Sequence, residues 1–279
     1  MSDLVFNLTV LIFVGGLAGY GAGLFGIGGG AILVPALFFV FLSLDVDESI
    51  VMHCAVATSA TVIIMNSWRS VSKHYALGGV DLALLWPRRR LWTSYGLWIA
   101  ASSFLAAVFI APSLSSEVLT LVFASVGFVV AMQFIFGRPD FVVRDNVPGG
   151  AGPPLIGGLI GALSAVMGIG GGSLSVPFLT LFGVPIHRAI GTAAGFGVMI
   201  AIPATLGFIM SGWGVTGRPD LSLGYVHLPS AFLTLSCAWL FVPFGASSAH
   251  RLNTGLLRRI FGVVLVLVAL NMARIALFY

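Results

Sequence analysis

The chain writes one glycine phrase twice: Gly26-Ile-Gly-Gly-Gly30 followed by Val34-Pro35, and, 142 residues later, Gly168-Ile-Gly-Gly-Gly172 followed by Val176-Pro177. Each copy lies inside a stretch free of Asp, Glu, Lys and Arg, residues 4–44 and 146–187. As one straight helix, the first stretch would measure about 60 Å at ~1.5 Å per residue, twice the ~30 Å hydrocarbon thickness of a bilayer. A glycine in a helix interior costs about 1 kcal/mol relative to alanine, so four glycines in five residues mark where the helix stops. The phrase predicts two helical hairpins that turn at their glycines.

The repetition continues downstream. His53-Cys-Ala-Val-Ala-Thr-Ser-Ala60 matches His187-Arg-Ala-Ile-Gly-Thr-Ala-Ala194 at an offset of 134, the first copy carrying eight extra residues between its two elements. These are two diverged copies of one unit, at a period far beyond that of solenoids or propellers. With 58% hydrophobic and 8% charged residues and a mean hydropathy of +1.08, the chain departs from soluble domains, which are about a quarter charged. Further charge-free stretches, residues 49–68, 91–116, 118–137, 189–217 and 221–250, each reach the roughly 20 residues that span a bilayer. A last apolar stretch follows Arg259. The chain is an integral membrane protein.

A hairpin returns the chain to the side it started from. With three spans after each hairpin, Arg69, Lys73, Arg88, Arg89, Arg90, Arg138, Arg144, Arg188, Arg251, Arg258 and Arg259 share one side, and only Arg218 and Arg274 fall on the other. Cytoplasmic loops carry the excess of basic residues, so the hairpin arrangement is favoured over single crossings, and the acidic loop Asp45, Asp47, Glu48 is placed outside with the N-terminus. An odd number of crossings inverts one unit with respect to the other. The predicted fold is an all-α polytopic membrane protein of two inverted repeats, each a Gly-broken helical hairpin followed by three transmembrane helices. The expected division is a single transport domain, residues 1–279, with repeat one about 1–137, a Pro- and Gly-rich linker about 138–154 and repeat two about 155–279.

Several classes are set aside. The first nine residues lack the basic region and cleavage signature of a signal peptide. Cys54 and Cys237 sit in apolar segments without metal or redox spacing and read as packing thiols. No His/carboxylate cluster suggests a metal, and no cofactor is expected. The net charge of +4, concentrated in loops such as Trp86-Pro-Arg-Arg-Arg90, reads as membrane orientation and lipid headgroup contact rather than nucleic-acid binding. The sequence is compatible with a homo-oligomer without specifying one.

A broken helix in the membrane needs partners for its backbone amides, because lipid supplies none. If the chain resumes as short helices over residues 31–41 and 173–182, their first N–H groups point back at the glycine loops. A helix N-terminus carries about half a positive charge and free donors, and so binds anions. Gly28, Gly29, Gly30, Gly170, Gly171, Gly172 and Ser173 are therefore candidate binding groups, two half-helices from opposite repeats aiming at one centre. A β-branched residue at Gly29 or Gly171 is expected to abolish that function while leaving insertion intact. The competing reading is close helix packing on small residues. A P-loop is excluded because no Lys-Ser/Thr pair follows either run.

Thr58 and Thr192 recur at matching repeat positions, five residues after His53 and His187. A helix beginning at the histidine carries each hydroxyl inward by more than one turn, where it either lines a pathway or bonds a carbonyl one turn earlier. Ser59 adds a hydroxyl in the first copy alone. His53 and His187 are candidates for gating or proton coupling, against a role as interfacial anchors. Arg188 is a candidate attractor for anions, against a role as a topology charge. Trp68, Asn66, Trp213 and Gln133 are further polar or amphipathic groups for lining a cavity. An intramembrane serine hydrolase, the lesser alternative, would need a base near Ser173; no histidine occurs between Ala151 and Pro185, so the base would have to be His53 or His227 brought close in space.

The doubled Gly-x-Gly-Gly-Gly with Val-Pro, the sequence His187, Ala189, Gly191, Thr192, the stretch Gly78-Gly79-Val80-Asp81, and Pro243-Phe-Gly245 with Phe261-Gly262 together resemble the TauE/SafE sulfite exporter family over almost the whole chain. The resemblance implies a transporter of the bacterial inner membrane, multi-pass, moving sulfite, sulfoacetate or other small sulfur-containing or organic anions, and not an enzyme. An anion channel built on the same paired half-helices is the alternative. Cys54 stands where the second copy has Arg188, so the halves contribute unequally.

Overall fold

A computed structural model describes residues 2–26, 28–86, 91–137, 142–248 and 254–278. In the first half, α1 (Ser2–Phe25) and α2 (Gly30–Leu42) flank the glycine break and are followed by α3 (Val51–Ala76), the short α4 (Leu82–Leu85), α5 (Tyr95–Leu105) and α6 (Ser116–Phe136). A π turn over Ala106–Ile110 and a 3-10 turn over Ala111–Ser113 prolong α5. In the second half, a π turn over Pro153–Gly157 leads into α7 (Gly158–Met167), then α8 (Gly172–Leu181), α9 (Ile186–Ser211), two-residue strands β1 (Ser222–Leu223) and β2 (Val226–His227), α10 (Leu228–Ser248) and α11 (Thr254–Phe278). The two halves thus repeat one order of helices, with α4 and the strand pair at the corresponding connection.

Local chemistry sets the boundaries. Ser94 and Ser115 accept N–H bonds from Leu97 and Val118 at 3.2 and 3.4 Å, capping α5 and α6, and Asp81 caps α4 through the N–H of Ala83 at 3.1 Å. Both glycine runs end a helix, as the cost of unbroken glycine predicts. Both hairpins close on themselves. Ser43 Oγ, just past α2, donates to Asn7 Oδ1 near the start of α1 at 3.0 Å, and the Val143 N–H, in the linker before α7, donates to the carbonyl of Leu181 at the end of α8 at 2.8 Å.

The halves interlock through equivalent elements. The first helix of each hairpin packs on the fourth segment of the other half, α1 on α10 and α7 on α5, while α3 packs on α9 and α6 on α11. A glycine stripe makes the α1–α10 contact. A Cβ on Gly19 or Gly23 would lie 2.3 Å from the Ala238 carbonyl oxygen or 2.1 Å from that of Val242. Gly161 of α7 does the same against α5, 2.3 Å from the Ile99 carbonyl oxygen. Small residues at a spacing of four let membrane helices approach this closely. This is the close-packing role of glycine, found upstream of the breaks.

Six of the described helical segments are long and apolar enough to cross a membrane: Phe6–Phe25, Val51–Ala76, Tyr95–Ser113, Ser116–Phe136, Ile186–Ser211 and Leu228–Ser248. Their outward faces present Phe13, Trp68, Phe109, Phe136 and Phe232, as a lipid-facing surface does. Among the described residues no Asp, Glu, Lys or Arg is buried. At one end of the molecule Arg188 pairs with Asp81 at 3.0 Å; at the other the Asp47 N–H meets the Gly217 carbonyl at 3.4 Å. Arg88, Arg89, Arg90, Arg138 and Arg251, used for orientation, lie outside the described residues.

Candidate functional site

Both glycine breaks stand near the midpoint of the two crossing helices. Gly28 and Gly30 lie against Ile63, midway along α3, and Gly171 lies against Ala193 and Gly197 of α9. They also touch one another. A Cβ on Gly28 would approach Gly170 Cα to 3.0 Å, and one on Gly30 would fall 2.2 Å from the Gly168 carbonyl oxygen. Neither half-helix receives a side-chain cap at its N-terminus: Gly29 precedes α2 and Gly171 precedes α8. Two uncapped helix starts therefore meet at the centre of the molecule, and such starts favour negative charge.

The backbone of the two breaks differs. Gly26, Gly28 and Gly29 take φ of 69°, 69° and 85°, whereas in the second break Gly168 turns at 61° and Gly171 is right-handed at −52°. A Cβ on Gly29 would meet the Ala18 carbonyl oxygen at 2.6 Å, and one on Gly171 the Gly197 nitrogen at 2.8 Å. Those neighbours are backbone and cannot swing away. A β-branched residue at either position therefore disturbs packing as well as any ligand, so these two substitutions do not separate the two readings of the glycines.

Around the breaks lies a shell of buried neutral polar groups. Ser59 Oγ donates to the Gly168 carbonyl at 2.9 Å, and Asn66 Nδ2 to the Gly28 carbonyl at 3.4 Å. Asn66 Oδ1 and the hydroxyls of Ser67, Ser164, Ser173 and Ser175 are buried without a partner. Each such group costs about 1–3 kcal/mol when left unpaired, a cost that a bound ligand with matching polar groups would offset. Ser67, Ser164 and Ser175 were not legible as site residues, because a lone serine in an apolar run carries no periodic signal. Asn66 was; of the four lining candidates it alone is central, since Trp68 and Trp213 are exposed and Gln133 is only half-buried.

Thr58 and Thr192 are engaged across the halves. Thr58 of α3 accepts the His227 N–H at 3.1 Å, directly before α10, and Thr192 of α9 accepts the Asp81 N–H at 2.9 Å, directly before α4. Each repeat thus fastens the other at the corresponding connection, a bond neither sequence reading foresaw. Asp81 also caps α4 and binds Arg188, which accounts for its place after Gly78-Gly79. The two histidines part company. His53 is buried, its Nε2 3.1 Å from the Ala111 carbonyl and its ring stacked on Tyr225, while His187 is exposed with Arg188. The interfacial-anchor reading therefore does not describe His53. Among the described residues no three His, Cys, Asp or Glu side chains gather as a metal would require.

Comparison with known proteins points to membrane transporters. The family model described as "Sulfite exporter TauE/SafE" matches residues 11–272. A "Probable membrane transporter protein" of Haemophilus influenzae is 35% identical over 269 residues, covering 95% of this chain and 97% of that protein. Proteins of the same description from Methanocaldococcus jannaschii and Bacillus subtilis are 25% identical over 81% of the chain and 23% identical over 94% of it, covering 80% and 96% of their own lengths. No solved structure matches the chain.

Proposed function

Because the chain belongs to the TauE/SafE sulfite exporter family, multi-pass membrane transporters and not enzymes, we propose that it exports a small sulfur-containing or organic anion, sulfite or a sulfonate, across a bacterial inner membrane. One observation carries the reading: two uncapped half-helix starts, one from each repeat, face each other at the molecular centre inside a shell of buried hydroxyl and amide groups. Such a centre offers oriented N–H donors, and among the described residues no buried cation, so its natural occupant is a small anion. Alternating access would come from rocking of one repeat against the other about this point. The reciprocal packing of α1 on α10 and α7 on α5 supports an inverted relation of the repeats. Export needs no coupled ion, since an inside-negative potential contributes about 2.3 kcal/mol per charge for each 100 mV.

Purified protein in proteoliposomes loaded with sulfite is the test. Efflux that saturates with sulfite concentration and accelerates with an outward-driving potential is the expected result. Efflux that rises linearly without saturation would point to a channel on the same scaffold, and no movement of sulfite, sulfoacetate or other small organic anions would overturn the anion reading.

A further inference from the structure

The two glycine breaks differ in side chains in a correlated way. At the repeat spacing, Ile63 of α3 corresponds to Gly197 of α9, Asn66 and Ser67 correspond to Ile200 and Ala201, and Ala31 of α2 corresponds to Ser173 of α8. Beside the start of α2 the isoleucine fills the space: Cβ atoms on Gly28 and Gly30 would each meet Ile63 at 2.9 Å. Beside the start of α8 the same position holds Gly197 and no side chain. The point where its Cβ would sit is 2.4 Å from Ser67 Oγ and 3.6 Å from the Gly171 nitrogen. Both breaks are closely packed, one against the carbons of an isoleucine and the other against a serine hydroxyl and the backbone of α9.

We propose that the anion is bound at one break only, the start of α8, beside the amides of Gly170–Gly172 and the hydroxyls of Ser67 and Ser173, with Asn66 at the margin, and that the α2 break is its hydrocarbon-lined counterpart. This rests on the reading above that the centre holds an anion. The second observation beyond the helix start is the pair of serine hydroxyls, Ser67 on α3 and Ser173 on α8, 1% and 2% exposed and without a partner. An array of neutral donors recognises a ligand by the number and direction of its acceptor oxygens rather than by charge alone. The ligand class is therefore an oxyanion with several oxygens on one centre, a sulfite or a sulfonate head, in preference to a halide. Ser67 belongs to the first repeat and α8 to the second, so the site is completed only where both halves meet.

The experiment is calorimetric titration of the full chain in detergent with sulfite and with chloride, paired with melting temperatures of the ligand-free proteins. S67A and S173A are expected to weaken sulfite about tenfold or more each, the loss that follows from one charge-assisted hydrogen bond, while their ligand-free melting temperatures hold or rise because an unpartnered hydroxyl has been removed. G197A places a methyl group against Ser67 Oγ, displaces that hydroxyl and abolishes sulfite binding. I63V, on the other break, leaves it within about twofold. If wild type binds sulfite and S67A, S173A and G197A bind it equally well, the one-sided site is wrong though the anion reading stands; a wild type that binds neither anion overturns both. Equal losses for sulfite and chloride, accompanied by lowered melting temperatures, would assign the serines to structure and overturn the proposal.

Discussion

A single methyl group sorts the glycines of this chain. Gly168 holds a φ of 61°, and a Cβ there would lie 2.9 Å from the Val56 Cα and 3.0 Å from its carbonyl oxygen. Gly78 holds a similar φ of 71° with nothing within 4 Å, and Gly158 has neither constraint. A left-handed non-glycine residue costs about 1–3 kcal/mol. G78A is expected to destabilise by about 1 kcal/mol, G168A by more than that because the backbone of α3 must also shift, and G158A to be neutral or to stabilise by up to ~1 kcal/mol. Melting temperatures of the three variants in one detergent check the order; equal effects would refute the separation of conformation from contact. The sequence places Gly168 in a repeated phrase but states the cost of replacing none of the three, because conformation and proximity are properties of where the chain goes next.

At the scale of elements, two threonines fasten two connections. The Thr58 and Thr192 hydroxyls each accept a backbone N–H from the opposite repeat, at His227 and at Asp81. Valine keeps the shape and removes the acceptor, so T58V and T192V each leave an N–H without its partner and are expected to cost about 1–3 kcal/mol. The bonds share no residue, and the double variant should approach the sum of the two. Denaturant or thermal unfolding of both single variants and the double measures this. A double variant no worse than either single one would mean that the connections act as one unit. The hairpins themselves were legible, since charge-free length and glycine content state where a helix must turn; the threonine ties were not, because their partners are 169 and 111 residues away and are backbone groups that no side-chain pattern announces.

For the whole molecule, pH acts through His227, at the end where α10 begins. Burial holds its imidazole below the ordinary histidine range, with a backbone bond at Asp220 opposing in part. The folded state then binds the proton less readily than the unfolded chain. Stability from this residue is complete above about pH 6.5, the ordinary value, and is lost as pH falls from there toward the depressed folded value. Melting temperature is expected to fall with acidification below about pH 6.5, more steeply in wild type than in H227Q; parallel curves would remove His227 from the cause. The opposite end carries the Arg188–Asp81 bridge, whose side chains are 50% and 27% exposed. Solvent screens such a pair, so R188A is expected to change stability by less than about 1 kcal/mol. A larger loss in the same assay would show that the bridge carries the closure of that end.

From the sequence alone follow the solvent, the two copies, the hairpins and the short helices after each break, because hydrophobicity, glycine cost and helix rise are local quantities that add along a chain. The likeness of the repeats also foretold that the breaks form a pair. Only the tertiary structure decided that Gly28 meets Gly170, that Ile63 packs on the first break, and that Ser67 packs on Gly197 beside the start of α8. Those relations depend on how α3 crosses α9, and a crossing is set by many weak contacts among distant residues, none of which has a signature of its own.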